Sequence, residues 1–153
     1  MANIVLIHGA YQGGWIWQSV AKILRSKGHT VLAPTLAGCA ERSRQIRPGI
    51  TTETHGDEIA NLLFYEDIKD AVLVGTSSGG MVMAKAAELA RHRIKRLVFA
   101  DALALMDGER IGDFVNRETA INTSLSSGPP RHDVVNRLFR DLEEPTKSWA
   151  IER

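Results

Sequence analysis

The chain of 153 residues has a single cysteine, Cys39, so it cannot form an intrachain disulfide. That usage suits a reducing compartment. No apolar stretch approaches the roughly 20 residues that a membrane helix requires. Met1-Ala2-Asn3 leads directly into a strand-like run, with no charged segment ahead of a long apolar one. A secretory signal is therefore not expected, and a cytoplasmic location is. A dominant charge sign is lacking too, since 19 Lys+Arg stand against 18 Asp+Glu. The basic residues are scattered, which argues against nucleic acid and membrane surfaces as partners.

What is present is a regular alternation. Asn3–Ile7 (NIVLI) is a short apolar, β-branched run closed by His8-Gly9. Trp17, Val20, Ala21 and Leu24 recur at helical spacing, and Gly28 follows as a stop. Thr30–Ala33 reads as a second strand, broken by Pro34. A polar loop spans Thr35 to about Thr52, and Ile59, Leu62 and Leu63 restore helical spacing. Ala71–Val74 (AVLV) has the unbroken apolar character of a strand buried on both faces. Val82, Ala86, Leu89 and Ala90 mark another helix, and Arg96–Ala100 (RLVFA) a fourth strand. The order β-α-β-α-β-α-β predicts an α/β fold with a mostly parallel sheet and right-handed crossovers. Residues 1–104 are assigned to this core. Residues 105–153 read as helical pieces around a Ser/Gly/Pro-rich break at Ser124–Pro130, with no further strand.

Gly75-Thr76-Ser77-Ser78-Gly79-Gly80 lies between strand and helix, the setting of a G-x-S-x-G nucleophile elbow. A nucleophilic serine must stand on a sharp turn above the sheet edge. Gly75 and Gly79 spare that turn the side chains that would collide with it. The alternative is a Gly/Ser-rich turn that binds phosphate or nothing. In this fold the oxyanion is held by the amide after the nucleophile and one from the first strand–helix loop. Here those are the N–H groups of Ser78 and Ala10. His8 is read as a structural residue that holds the loop through its ring.

The run His8-Gly9-Ala10-Tyr11-Gln12-Gly13-Gly14-Trp15-Ile16-Trp17 resembles the HGAxxGGWxW opening of small α/β-hydrolases. These are plant methyl esterases of the salicylate-binding type, hydroxynitrile lyases and bacterial esterase relatives. Pro34-Thr35-Leu36-Ala37-Gly38 and Glu41-Arg42-Ser43 are similar to the PTLxGxGERS loop of that family. Asp101-Ala102 and Asp107-Gly108 resemble the segment leading into its helical cap. The resemblance covers most of residues 3–118. It implies the α/β-hydrolase fold, with hydrolysis of small esters that needs neither metal nor other cofactor. In that family the acid follows the next strand and the catalytic histidine follows the last one, so both are expected outside this sequence. Thr76 stands where the family often has His or Gly.

Within the chain no base is assigned. His29 precedes a strand at the end away from the elbow, His55 sits near a helix start, and His92 lies at the far end of the elbow helix. His132 falls in the cap segment. Asp101 ends the strand after the elbow and keeps the order Ser…Asp…His, so two readings stand: triad acid, or turn residue at a strand end. Asp107 and Asp113 read as helix-start residues. Among Tyr11, Trp15, Trp17 and Phe114, Tyr11 is the candidate for the substrate pocket, and Trp17 is assigned to the core. Cys39 is given no catalytic role.

The expectation is thus a serine carboxyl-ester hydrolase, with Ser77 as nucleophile, Asp101 as the candidate acid within the chain, Ala10 and Ser78 as oxyanion donors, and Tyr11 at the substrate. Two alternatives are a lyase on the same scaffold and a ligand-binding fragment without catalysis. The strand around Val98 is expected to form an unpaired apolar edge, which invites association. The expected partners are therefore a small ester and either a complementing C-terminal fragment or a second copy of the chain.

Overall fold

The computed structural model describes residues 1–114 and 121–153, and four apolar runs become parallel strands. These are β1 (Asn3–Ile7), β2 (Thr30–Leu32), β3 (Ala71–Ser77) and β4 (Ile94–Ala102), in the order β2-β1-β3-β4. Helices α1 (Gln18–Ser26), α2 (Thr52–Tyr65) and α3 (Gly79–Ala90) connect them. The period of two along a strand sorts side chains to opposite faces. Val5 and Ile7 of β1 and Ala71 and Leu73 of β3 join Ile59 and Leu63 of α2 and Val82, Met83 and Ala86 of α3 in one cluster. Ile4 and Leu6 join Val31 and Ala21 of α1 in another, with Val72, Val74 and Trp17 packed against it. A helix layer on each face explains why β1 and β3 are apolar throughout rather than alternating.

The chain leaves β1 towards β2 and leaves β3 towards β4, which lies on the opposite side. The direction reverses between β1 and β3, whose ladder pairs Ile7 with Gly75. Open α/β sheets bind ligands at the carboxyl ends of the strands flanking such a switch. The elbow and the His8-Gly9 loop both emerge there.

Several boundaries differ from the sequence reading. A 3₁₀ turn, Gly14–Trp17, precedes α1, and Val20 is exposed while Trp17, Ala21 and Leu24 face the core. The loop after Pro34 contains a 3₁₀ segment, Ala40–Gln45. Helix α2 begins at Thr52, where Thr51 and Thr54 exchange side-chain-to-backbone bonds in a capping box. Leu89, one of the apolar residues that mark α3 in the sequence, is about half exposed.

The contacts divide the chain into two compact units, Met1–Glu109 and Arg110–Arg153. In the second, α4 (Arg131–Asp133) runs into a π-helical turn, Val134–Leu138, and α5 spans Thr146–Ile151. Contrary to expectation, this unit holds a strand pair, β5 (Ile121–Asn122) with β6 (Ser127–Gly128). Its turn is closed by Thr123, whose N–H donates to Ser126 O and whose hydroxyl oxygen accepts from Ser126 N. Two rungs are too short to leave a period-two signature in sequence.

Candidate active site

Ser77 is the last residue of β3, and α3 begins two residues later. Its φ is +50°, a left-handed conformation that L residues seldom adopt and that persists only where surrounding structure enforces it. The enforcement is visible in the packing. A Cβ on Gly75 would lie 2.8 Å from Gly79 C and O. One on Gly79 would lie 2.7 Å from the carbonyl oxygens of Ile7 and His8. The helix therefore meets the strand end and β1 backbone to backbone, which leaves Ser77 exposed on the turn. Leu103 N–H donates to Ser77 O at 2.9 Å, tying the elbow to the exit of β4.

The loop after β1 reaches the same point. A Cβ on Gly9 would stand 2.8 Å from Ser77 Cβ, so only glycine allows this approach. Ala10 and Tyr11 follow Gly9 in the loop after β1, and Ser78 follows Ser77 in the elbow. The helix N-terminus at Ser78 favours negative charge developing nearby. Among the described residues, no hydrogen bond engages the amides of Ala10 or Ser78. Tyr11 has φ +65° and is 41% exposed. Asp101 adopts φ +48° and is exposed, one residue before Ala102, which pairs with Ser77 across β3 and β4. Ser77 and Asp101 thus occupy adjacent strands at one sheet edge.

His8 is buried, and its ring is fully engaged. Leu36 N–H donates to Nε2 at 3.0 Å, so Nε2 carries no proton. Nδ1–H then donates to the Gly9 carbonyl at 2.8 Å. With its one lone pair occupied, this imidazole has none left for a serine proton. Burial holds its pKa below the ordinary 6.5, consistent with a neutral ring. His55 Nε2 lies 3.0 Å from Ala37 O and donates to it. His29 precedes β2 at the opposite end of the parallel sheet. His92 follows α3, whose 12 residues span about 18 Å from the elbow end. His132 lies in the second unit, exposed, 3.5 Å from Asp133. The histidines of the first unit therefore leave Ser77 without a base.

The polar loop hides the part that sequence reasoning missed. Arg42 Nη1 donates to Thr35 O at 2.6 Å and Nη2 to Glu58 Oε1 at 2.7 Å. Glu58 Oε2 accepts from Ala37 N at 2.9 Å. The Thr35 hydroxyl oxygen accepts from Gly14 N and its hydrogen holds the Glu41 carboxyl below its usual pKa. The only signal was the Glu41-Arg42 pair of the loop motif; its partner Glu58, 16 residues on, carries none. Cys39 is a partly buried thiol whose pKa burial raises, which disfavours a thiolate. Trp17 packs in the core, and Phe114 is exposed in the second unit. A cavity of about 360 Å³ between Pro34–Leu36 and α2 is lined by neither Ser77 nor Asp101. Among the described residues, no three His, Cys, Asp or Glu groups are placed to hold a metal.

An exposed serine on a strained strand–helix turn, at a sheet switch and against a second loop, defines an α/β-hydrolase scaffold. The family model for the alpha/beta hydrolase fold matches residues 2–150, and the chain belongs to that family. Among its relatives, it is 39% identical over 111 residues to the carbendazim hydrolyzing esterase of Nocardioides sp. (strain SG-4G), covering 72% of this chain and 46% of that one. It is 37% identical over 101 residues to the alpha-hydroxynitrile lyase of Arabidopsis thaliana, covering 65% and 39%. An extracellular α/β-hydrolase from a Paenibacillus species, described as sharing structural and functional homology with tobacco salicylic acid binding protein 2, superposes with a TM-score of 0.80. That match has 26% identity and covers 99% of this chain and 65% of the other. The chain thus spans about half the length of the curated relatives it matches. No helix among the described residues is long and apolar enough to cross a membrane.

Proposed function

We propose that these residues carry the nucleophile and oxyanion half of a serine carboxyl-ester hydrolase acting on small esters. The observation that carries the reading is Ser77 at φ +50° on the elbow, with Gly9 against its Cβ. In this reading Ser77 Oγ attacks the ester carbonyl carbon and its proton passes to a histidine. The Ala10 and Ser78 amides hold the oxyanion, and collapse of the intermediate expels the alcohol, which takes the proton. Water then hydrolyses the acyl-enzyme to release the acid. Asp101 orients the histidine, Tyr11 contacts the substrate, and residues 105–153 belong to the helical cap. The histidine is assigned to a segment outside this sequence, because those of the first unit are engaged or distant; a complementing C-terminal fragment or a second copy covers the open sheet edge. A cytoplasmic setting is kept on the strength of the lone cysteine.

The test is intact mass under denaturing conditions before and after a fluorophosphonate probe, with Ser77→Ala as control. An adduct on the 16.8 kDa chain, absent in the variant, supports the reading. A chain that stays unlabelled with a second polypeptide present overturns it in favour of a binding fragment; a chain unlabelled and alone is a half without its histidine, and the ester-hydrolase reading then describes only the longer protein. Turnover of cyanohydrins in place of esters would select the lyase.

A further inference from the structure

The bonds around Thr35–Ala37 form a continuous route from an acidic side chain on α2 to the peptide unit beside Ser77. We propose that Glu58 is a positioning residue of the ester-cleaving site, aiming the Ala10 amide through Ala37, Leu36 and the His8 ring. The inference rests on the ester-hydrolase reading for its catalytic consequence, though not for the clamp itself.

Glu58 contacts the loop twice, directly at Ala37 N and through Arg42 at Thr35 O. These two bonds bracket Leu36, whose N–H must stay on His8 Nε2 for the ring to keep its proton on Nδ1. The Nδ1–H bond to Gly9 O then fixes one end of the Gly9–Ala10 peptide. That peptide is trans and planar, so its C=O and N–H point in opposite directions. Fixing the carbonyl of Gly9 therefore fixes the direction of the N–H of Ala10. The Gly9 N–H is held in turn by Gln12 Oε1 at 3.0 Å. An oxyanion donor acts only when it is already aimed at the place where charge develops. A carboxylate three hydrogen bonds from the Gly9–Ala10 peptide thereby bears on the rate without touching substrate.

The experiment compares the unaltered chain with Glu58→Ala and Glu58→Gln. Ring ¹⁵N spectra report the His8 tautomer, and amide spectra report Gly9, Ala10, Leu36 and Ala37. Glu58→Ala is expected to release the Nδ1–H tautomer into a mixture and to shift all four amides. Glu58→Gln, which still offers an oxygen to Ala37, is expected to recover most of the pattern. With p-nitrophenyl acetate as substrate, Glu58→Ala is expected to lower kcat about tenfold with KM within about twofold, and Glu58→Gln to recover kcat. A Glu58→Ala chain that stays folded with the His8 tautomer and the Gly9 and Ala10 signals unchanged overturns the proposal. So does a change confined to KM. Without the outside histidine only a residual turnover from the oxyanion donors is expected of the unaltered chain; absence of even that counts against the ester-hydrolase reading, and the nitrogen spectra then decide the clamp alone.

Discussion

Strands β1 and β4 flank β3, which ends at Ser77, and share its direction, yet their surroundings differ. β1 is buried from Ile4 to Ile7, with β2 on its outer side and helices on both faces. β4 is the last strand of the described sheet, and Val98 and Phe99 are 38% and 43% exposed. Both carry short apolar runs of the same kind. An apolar run thus specifies a strand, while burial depends on what lies beside it. The strained elbow and the Gly9 loop meet where backbone is packed on both sides, at the ends of β1 and β3. The unpaired edge carries only Asp101 towards the site.

The largest effects expected from this contrast are in stability. Leu73→Ala, in the fully buried rung of β3, should cost about 2–5 kcal/mol, and Val98→Ala on β4 less than about 1 kcal/mol. Equal losses in urea unfolding would mean that the β4 edge is covered in solution. Next comes association. If β4 is the seat of a second copy or complementing segment, Val98→Lys should shift the sample towards monomer in sedimentation, whereas Val20→Lys on α1 should not. Unchanged sedimentation of both variants would remove β4 as the contact.

The smallest effect concerns pH. His8 has its pKa lowered by burial, so the unfolded chain binds the proton more readily. Stability from this group is complete above the ordinary value of 6.5 and declines as pH falls towards the lowered folded-state value. Below the folded-state value the loss is complete. His8→Gln should flatten that slope just below pH 6.5, before the carboxylates titrate. A slope unchanged in the variant would assign the pH dependence elsewhere.

Much of the fold was legible because its signals are local. NIVLI, AVLV and RLVFA named three strands, and G-x-S-x-G placed Ser77 at a strand–helix turn. The extra reach of β3 to Ser77 and of β4 to Ala102 was not legible, because ladder bonds extend strands beyond their apolar runs. The structural role of His8 was anticipated, but its partner Leu36, 28 residues away, was not.

The sequence alone therefore determined the alternation of elements, the place of Ser77 on a strand–helix turn and the family resemblance, since each rests on neighbouring residues. Tertiary structure decided the strand order, the closeness of Gly9 to Ser77, the His8 tautomer and the link between Glu58 and Ala37. Those depend on residues distant in sequence, brought together by sheet order and close backbone packing, and no local pattern encodes such meetings.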